Sequence, residues 1–269
     1  MTYTTKAPIL CSTASTADTK YCPQLGQKRI SALDIQNPAQ IIASLKEQFS
    51  IVFEEGLGRC THFKAHLNLR PNVQPVFCKA RPVPIAARKT IEDELHRLEK
   101  LGAIRQVDFS DWAAPILAVT KKSGSIRVCS DFSTGLNEAL ELNRHPLPRP
   151  EDLFMTLNGA SIFTQLDLSD AYLQIELDAE SKKLVCVNTH MGLFQYERLP
   201  FGVKSAPSIF QKFMDQLLTG IDGTVAYIDD VVVASSSIKE HILTLRKLFT
   251  KFQSYGLKVN LNKCHFLLK

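Results

Sequence analysis

Two adjacent aspartates, Asp229 and Asp230, sit between apolar runs in Thr224-Val-Ala-Tyr-Ile-Asp-Asp-Val-Val-Val-Ala-Ser235. Val, Ile, Tyr and Thr favour strands and acidic residues favour the turn between them, so the stretch predicts a β-hairpin with both carboxylates at its tip. Carboxylates held side by side repel and raise each other's pKa, and a divalent cation removes that penalty. The pair reads either as half of a metal site on a rigid turn or as an ordinary acidic turn, and four letters alone favour the second. A third carboxylate, Asp167, ends the apolar run Ile162-Phe-Thr-Gln-Leu-Asp-Leu168. Between Leu166 and Leu168 it is costly unless paired or metal-bound.

Two further clusters carry chemistry-bearing residues. Cys60, His62 and His66 have the residue types of a zinc site. Thr61 to Leu69 alternates, however, with Phe63, Ala65, Leu67 and Leu69 on one face and Cys60, His62, Lys64 and His66 on the other. Strand alternation explains that face without a metal, and a fourth ligand is missing. Downstream, Pro115–Thr120 and Ile126–Cys129 predict two strands joined by a turn at Lys121-Lys-Ser-Gly-Ser125. Lys121 and Lys122 at the tip, with Arg127 beyond, make either a solubilising turn or a cationic finger that closes on a triphosphate.

The elements that must position these groups follow from periodicity. Residues 1–37 are rich in Thr, Ser and Ala without a period and read as a flexible lead-in. Pro38 opens a helix through Ile41, Ile42, Leu45 and Phe49. Pro71, Pro75, Pro82 and Pro84 impose an extended stretch. Ile85 to Leu101 is a helix with Ile91, Leu95 and Leu98 on one face, a charged solvated face, and Gly102 at its C-cap. A short helix runs from about Glu151 to Leu157. Leu173, Ile175 and Leu177 alternate as a strand, and Leu184–Val187 with Leu193–Tyr196 predict a hairpin around Met191-Gly192. Ser205 is placed as cap and Pro207 as first residue of a helix bearing Ile209, Phe210, Phe213, Met214, Leu217 and Leu218. A last helix spans about Ile238 to Tyr255 and closes at Gly256; Leu257–Asn260 and Cys264–Leu267 suggest short strands. Helices alternate with hairpins, so the expected class is α+β with antiparallel strands dominating.

Composition sets the outer limits. With 269 residues, 45% of them hydrophobic, the chain can build one large core or two small ones. A net charge of +5 permits a polyanionic partner without demanding one. The seven cysteines are scattered singly, the N-terminus lacks a signal-peptide pattern, and no apolar run is long enough for a bilayer. A reducing, intracellular setting without membrane attachment is expected. Gly-x-Gly-x-x-Gly, Walker, Gly-x-Ser-x-Gly and zincin patterns are absent.

Taken in order, several segments match one family. They are Pro75-Val-Phe-Cys-Lys-Ala-Arg-Pro-Val-Pro84, Leu98-Glu-Lys-Leu-Gly-Ala-Ile104, the Lys121 hairpin, Arg144-His-Pro-Leu-Pro148 and Phe163-Thr-Gln-Leu-Asp-Leu-Ser-Asp-Ala-Tyr172. Leu199-Pro-Phe-Gly-Val-Lys-Ser-Ala-Pro207, Tyr227-Ile-Asp-Asp230 and Leu257-Lys-Val-Asn260 complete the set. From about Gly56 onward the chain resembles the reverse transcriptase of gypsy-type long-terminal-repeat retrotransposons. Each motif is weak alone; their order is highly specific.

The resemblance implies a right-hand polymerase with fingers at 75–142 and 176–204 and palm at 143–175 and 205–269. Residues 38–74 would be a helix and strand leading in. It implies RNA- or DNA-templated addition of deoxynucleotides to a primer, with Asp167, Asp229, Asp230 and the Leu168 carbonyl holding two Mg²⁺ ions, or Mn²⁺ in their place. Lys121 or Lys122 and Arg127 would grip the triphosphate, and Asp170 and Ala171 would contact it through backbone. Tyr172 would be the aromatic gate against a 2′-hydroxyl, and Phe201 would pack beside the nucleotide. Ile126 stands where the family usually carries an aromatic, and Ser130–Asn137 is lengthened. On the same resemblance this sequence is expected to cover fingers and palm only, without the family's primer-grip hairpin and thumb, and no protease, ribonuclease H or integrase motif is recognised within it. A piece of a Pol polyprotein from a cytoplasmic, virus-like-particle setting is implied. The alternative is a non-catalytic remnant that binds nucleic acid through phosphate contacts.

Overall fold

The computed structural model describes residues 37–120 and 126–269, so the lead-in expected before Asn37, and Lys121 and Lys122, lie outside the described residues. Helix α1 (Pro38–Gln48) begins at Asn37, whose side chain accepts a hydrogen bond from Ala39 N, with Pro38 at the first position where no N–H is needed. A break at Phe49 leads to α2 (Ser50–Phe53). Ile41, Leu45, Phe49 and Val52 are buried, and the Phe49 and Phe53 rings pack on Phe249 at 5.6 and 5.1 Å. Residues 38–53, which lie before the family resemblance, are thereby part of the core.

The chain continues through β1 (Lys64–Ala65), α3 (Ile85–Lys100), β2 (Ile104–Val107), β3 (Ala114–Thr120), β4 (Ile126–Ser130) and α4 (Leu136–Ala139). Next come α5 (Pro150–Leu157), β5 (Ile162–Asp167), β6 (Glu176–Leu177), α6 (Ala179–Leu184), β7 (Cys186–Thr189) and β8 (Gly192–Tyr196). The last elements are α7 (Ala206–Leu218), β9 (Thr224–Tyr227), β10 (Asp230–Ser235), α8 (Ile238–Tyr255) and β11 (His265–Leu268). Among the described residues there are two larger sheets, a five-stranded one in the order β2-β8-β7-β3-β4 and a four-stranded one in the order β11-β5-β10-β9. Helix α3 packs on the first through Ile91, Leu95 and Leu98; α7 and α8 back the second. The four-stranded sheet buries Thr164, Leu166, Val231 and Val233 against those helices. Its other face carries Gln165 and Asp167 by strand alternation.

Four expectations are corrected. Thr61–Leu69 contains only the two-residue β1, paired in parallel with β6. Ala65 and Leu67 are buried as expected, but Cys60 is buried too rather than on the histidine face, because its N–H is drawn in to the Gln174 carbonyl. Ala171–Gln174 is a 3₁₀ helix with all four residues buried, and the expected strand shrinks to β6. Leu257–Asn260 is no strand; it contributes a single bridge between Val259 and Leu168. Ser205 precedes α7 in helical geometry without a side-chain cap, and its hydroxyl has no hydrogen-bond partner. Ala179–Leu184 is a short helix without an apolar period in the sequence, capped by Asp178 accepting from Ser181 N.

His241 on α8 has no exposed surface, and its ring bridges Thr164 Oγ1 at 2.8 Å and Ser235 Oγ at 3.2 Å, joining α8 to both central strands. Burial pushes its pKa down to about 4, against a small opposing pull from Glu240. The folded state thus keeps it neutral while the unfolded chain protonates near the ordinary value. Stability is full above about pH 6.5 and falls as pH drops toward 4, by up to about 3 kcal/mol. Thermal unfolding of wild type and His241→Asn across that range checks this: the slope flattens in the variant, and equal slopes refute the assignment.

Candidate active site

The β9–β10 hairpin closes with Asp230 opposite Tyr227, leaving Ile228 and Asp229 as a two-residue turn. Ile228 has φ of +56°, a left-handed conformation that a β-branched residue adopts only when the surroundings enforce it. The enforcement is visible. Gln211 on α7 is fully buried; its Oε1 accepts from Ile228 N at 3.0 Å, and its Nε2 donates to the Ala226 carbonyl at 2.9 Å and to Asp215 at 2.8 Å. A helix side chain thus holds the turn from behind.

The antiparallel register of β5 and β10 sets Asp167 directly opposite Asp230, and the Leu168 N–H donates to the Asp229 carbonyl at 3.2 Å. Directly opposed residues share a face, so the carboxylates at 167 and 230 are cross-strand neighbours. Gln165 donates to Asp230 Oδ1 at 3.2 Å. The Asp167 backbone is fixed as well, its carbonyl accepting from Asn260 N at 2.8 Å. Burial raises the Asp167 pKa, the Lys263 ammonium at 3.2 Å opposes the rise, and Asp229 and Asp230 add to it. The charges of Asp229 and Asp230 therefore both reach Asp167.

Among the described residues no three His, Cys, Asp or Glu side chains stand close enough to hold a metal ion by themselves. The donor chemistry nevertheless fits a hard divalent cation. Three carboxylates and a backbone carbonyl are oxygen ligands of the kind Mg²⁺ takes, with substrate oxygens and water completing its shell. A cation is already drawn to the spot in Lys263, whose side chain is 65% exposed. An exposed lysine–carboxylate pair contributes about 0–1 kcal/mol, so it yields readily to a doubly charged ion. The zinc cluster does not form. Cys60 is buried, His62 bonds Thr61 Oγ1 at 2.8 Å, and His66 pairs with Asp178.

The loop after β5 carries the remaining candidates. Asp170 is left-handed with φ of +45° and pairs with Arg97 of α3 at 3.5 Å. Ala171 and Tyr172 are buried. The Tyr172 ring lies 4.7 Å from Phe201 and 5.3 Å from Phe210, and burial together with the Asp229 charge pushes its pKa up to about 12. Tyr172 is thus packed like a core aromatic and still within the field of the acidic turn, while Phe201 keeps 38% of its surface. Arg127 stands in β4 opposite Val119, placed by its backbone; its side chain lies outside the described part of the structure. Lys263, Gln165 and Gln211 were not singled out from sequence. Lys263 alone had a signal, as the cation following Leu257-Lys-Val-Asn260.

Comparison with known proteins agrees with this geometry. The family described as reverse transcriptase (RNA-dependent DNA polymerase) matches residues 119–269. An uncharacterized Caenorhabditis elegans protein is 45% identical over 92% of this chain and 20% of its own length. The retrovirus-related Pol polyprotein from transposon opus of Drosophila melanogaster is 32% identical over 85% of this chain and 23% of its own. The chain thus spans about a fifth to a quarter of these relatives. The prototype foamy virus protease–reverse transcriptase superposes with a TM-score of 0.77 at 22% identity, covering 84% of this chain and 31% of that one. A foamy viral structure in complex with RNA/DNA hybrid gives the same TM-score at 20% identity, covering 84% of this chain and 30% of that one. These likenesses show the α+β fingers-and-palm fold. Among the described residues no helix is long and apolar enough to cross a membrane. With more than half of its 269 residues matched, the chain belongs to the reverse transcriptase (RNA-dependent DNA polymerase) family.

Proposed function

We propose that this chain is the fingers-and-palm polymerase core of a gypsy-type retrotransposon Pol polyprotein, adding deoxynucleotides to a primer on an RNA or DNA template. The register that sets Asp167 opposite Asp230, with Asp229 in the adjoining turn, carries the proposal. The five-stranded sheet is read as fingers and the four-stranded sheet as palm. Asp167, Asp229, Asp230 and the Leu168 carbonyl would hold Mg²⁺ or Mn²⁺. When bound, the ions would supply a lower pKa for the primer 3′-hydroxyl and positive charge against the α-phosphate and the leaving pyrophosphate.

The protein's own groups do the positioning. Gln211 and Gln165 fix the turn and Asp230, so the carboxylates are organised before substrate arrives. Tyr172, locked between Phe201 and Phe210, limits space beneath the sugar. Backbone groups of Asp170 and Ala171 meet the triphosphate, and Lys121, Lys122 and Arg127 close on it from the fingers hairpin. Template and primer would bind through phosphates; foamy viral relatives are in complex with double-stranded DNA and with RNA/DNA hybrid, which supports a nucleic-acid duplex as partner, and other Pol segments would complete the grip. Single-nucleotide primer extension by the isolated chain tests the proposal. Extension that needs Mg²⁺ or Mn²⁺ and is abolished in Asp229→Asn supports it, and extension indifferent to that substitution refutes it.

A further inference from the structure

Gln174 has no exposed surface, yet it carries a carboxamide. It is the last residue of the 3₁₀ helix that follows the Asp167 loop. Its Nε2 donates to the Ser169 carbonyl at 2.7 Å and to the Lys258 carbonyl at 2.8 Å, and its Oε1 accepts from Lys258 N at 2.8 Å. The Lys258 carbonyl also accepts from Ser169 N at 3.2 Å. The amide thus behaves like one more residue of backbone, bonded to Lys258 as a strand neighbour would be. Two carbonyls on one side and an N–H on the other fix which end is nitrogen.

The same residue anchors a third segment. Its main-chain carbonyl accepts from Cys60 N at 2.8 Å and from the buried Arg198 guanidinium at 3.3 Å. Arg59 N donates to the Gly256 carbonyl at 2.8 Å. A Cβ on Gly58 would come within 2.1 Å of Gln174 Oε1, so the carboxamide fills a slot shaped by residues 58–60 and 256–258. Both anchored segments adjoin Asp167, which lies seven residues before Gln174 and whose carbonyl is held by Asn260, two residues after Lys258.

We infer that Gln174 is a positioning residue, whose buried amide locks the Ser169–Tyr172 loop to the Lys258 segment and so sets where Asp167 and Tyr172 face the site. The inference rests on the polymerase reading for its consequence, not for its geometry. The nearest substitutes do not satisfy the slot: Glu presents an acceptor to two carbonyls, Met or Leu presents none of the three bonds, and Asn falls one methylene short.

The test pairs Gln174→Met with Val233→Ala, a core change in β10 of the four-stranded sheet that touches none of these bonds. Amide hydrogen exchange is read first. In Gln174→Met the amides of Ser169, Lys258 and Asn260 exchange about tenfold faster or more, while those of Ala226 and Val231 hold their wild-type rates. Single-nucleotide extension is read next, at a temperature where both variants are folded. Gln174→Met loses about tenfold or more in kcat with primer–template affinity unchanged, and Val233→Ala keeps its kcat. Should Met cost the fold, Gln174→Asn serves, with the same expected pattern. Uniform acceleration across the sheet, unchanged exchange at Lys258, or wild-type kcat overturns the inference. A wild-type chain inert in extension counts against the polymerase reading alone, and the exchange pattern then decides for or against the lock.

Discussion

Asp229→Asn lowers kcat for single-nucleotide extension about a thousandfold, about 4 kcal/mol of transition-state stabilisation, and leaves thermal stability unchanged or slightly raised. The expectation follows from where the carboxylate sits. Asp229 occupies the two-residue turn between β9 and β10, and its charge raises the pKa of both Asp167 and Tyr172. Such a charge is a cost to the folded protein unless a cation is bound. Asparagine keeps the shape and removes the charge, so the fold loses a repulsion while the site loses a ligand. A matched fall in stability would instead mark Asp229 as structural.

Tyr172→Ala raises the ratio of ribonucleotide to deoxynucleotide kcat/KM about a hundredfold, equivalent to about 2.7 kcal/mol of lost discrimination. The ring is held on two sides by Phe201 and Phe210, so on the proposed reading it would resist displacement by a 2′-hydroxyl. It is also buried, and truncation of a buried aromatic costs about 3–5 kcal/mol of stability. The comparison is therefore made well below the variant's unfolding midpoint, where a selectivity ratio is insensitive to a folded fraction common to both substrates. An unchanged ratio would return Tyr172 to a packing role.

Local patterns were the most legible. The β9–β10 hairpin, the strand ending at Asp167, and the helices at Ile85–Lys100 and Ile238–Tyr255 each announce themselves through periodicity, β-branched runs and a terminal glycine, although the turn falls at Ile228–Asp229 and Asp230 opens β10 instead of sharing the tip. Gly256, with φ of +73°, ends α8 and also lets the Arg59 carbonyl approach to where a Cβ would clash at 2.2 Å. Only the first of those roles shows in sequence. What stayed hidden depends on partners distant along the chain. Gln211 and Gln174 are polar residues in apolar stretches, and nothing local says whether such an amide faces water or replaces backbone. Leu173, Ile175 and Leu177 alternate as a strand would, yet Ala171–Gln174 is a 3₁₀ helix whose last side chain is bonded to Ser169 and Lys258. Alternation puts Cys60 on the histidine face, whereas in the fold it is buried beside a backbone bond to Gln174 that alternation cannot foresee.

The central claim is that the acidic groups at 167, 229 and 230 share bound divalent metal. Titration of the isolated chain with Mn²⁺, with the free ion counted by electron paramagnetic resonance, measures it without any need for turnover. Wild type should take up Mn²⁺ in competition with Mg²⁺, and Asp167→Asn should bind about tenfold or more weakly while keeping its fold. Equal Mn²⁺ affinity in the two proteins would contradict a shared metal at these carboxylates.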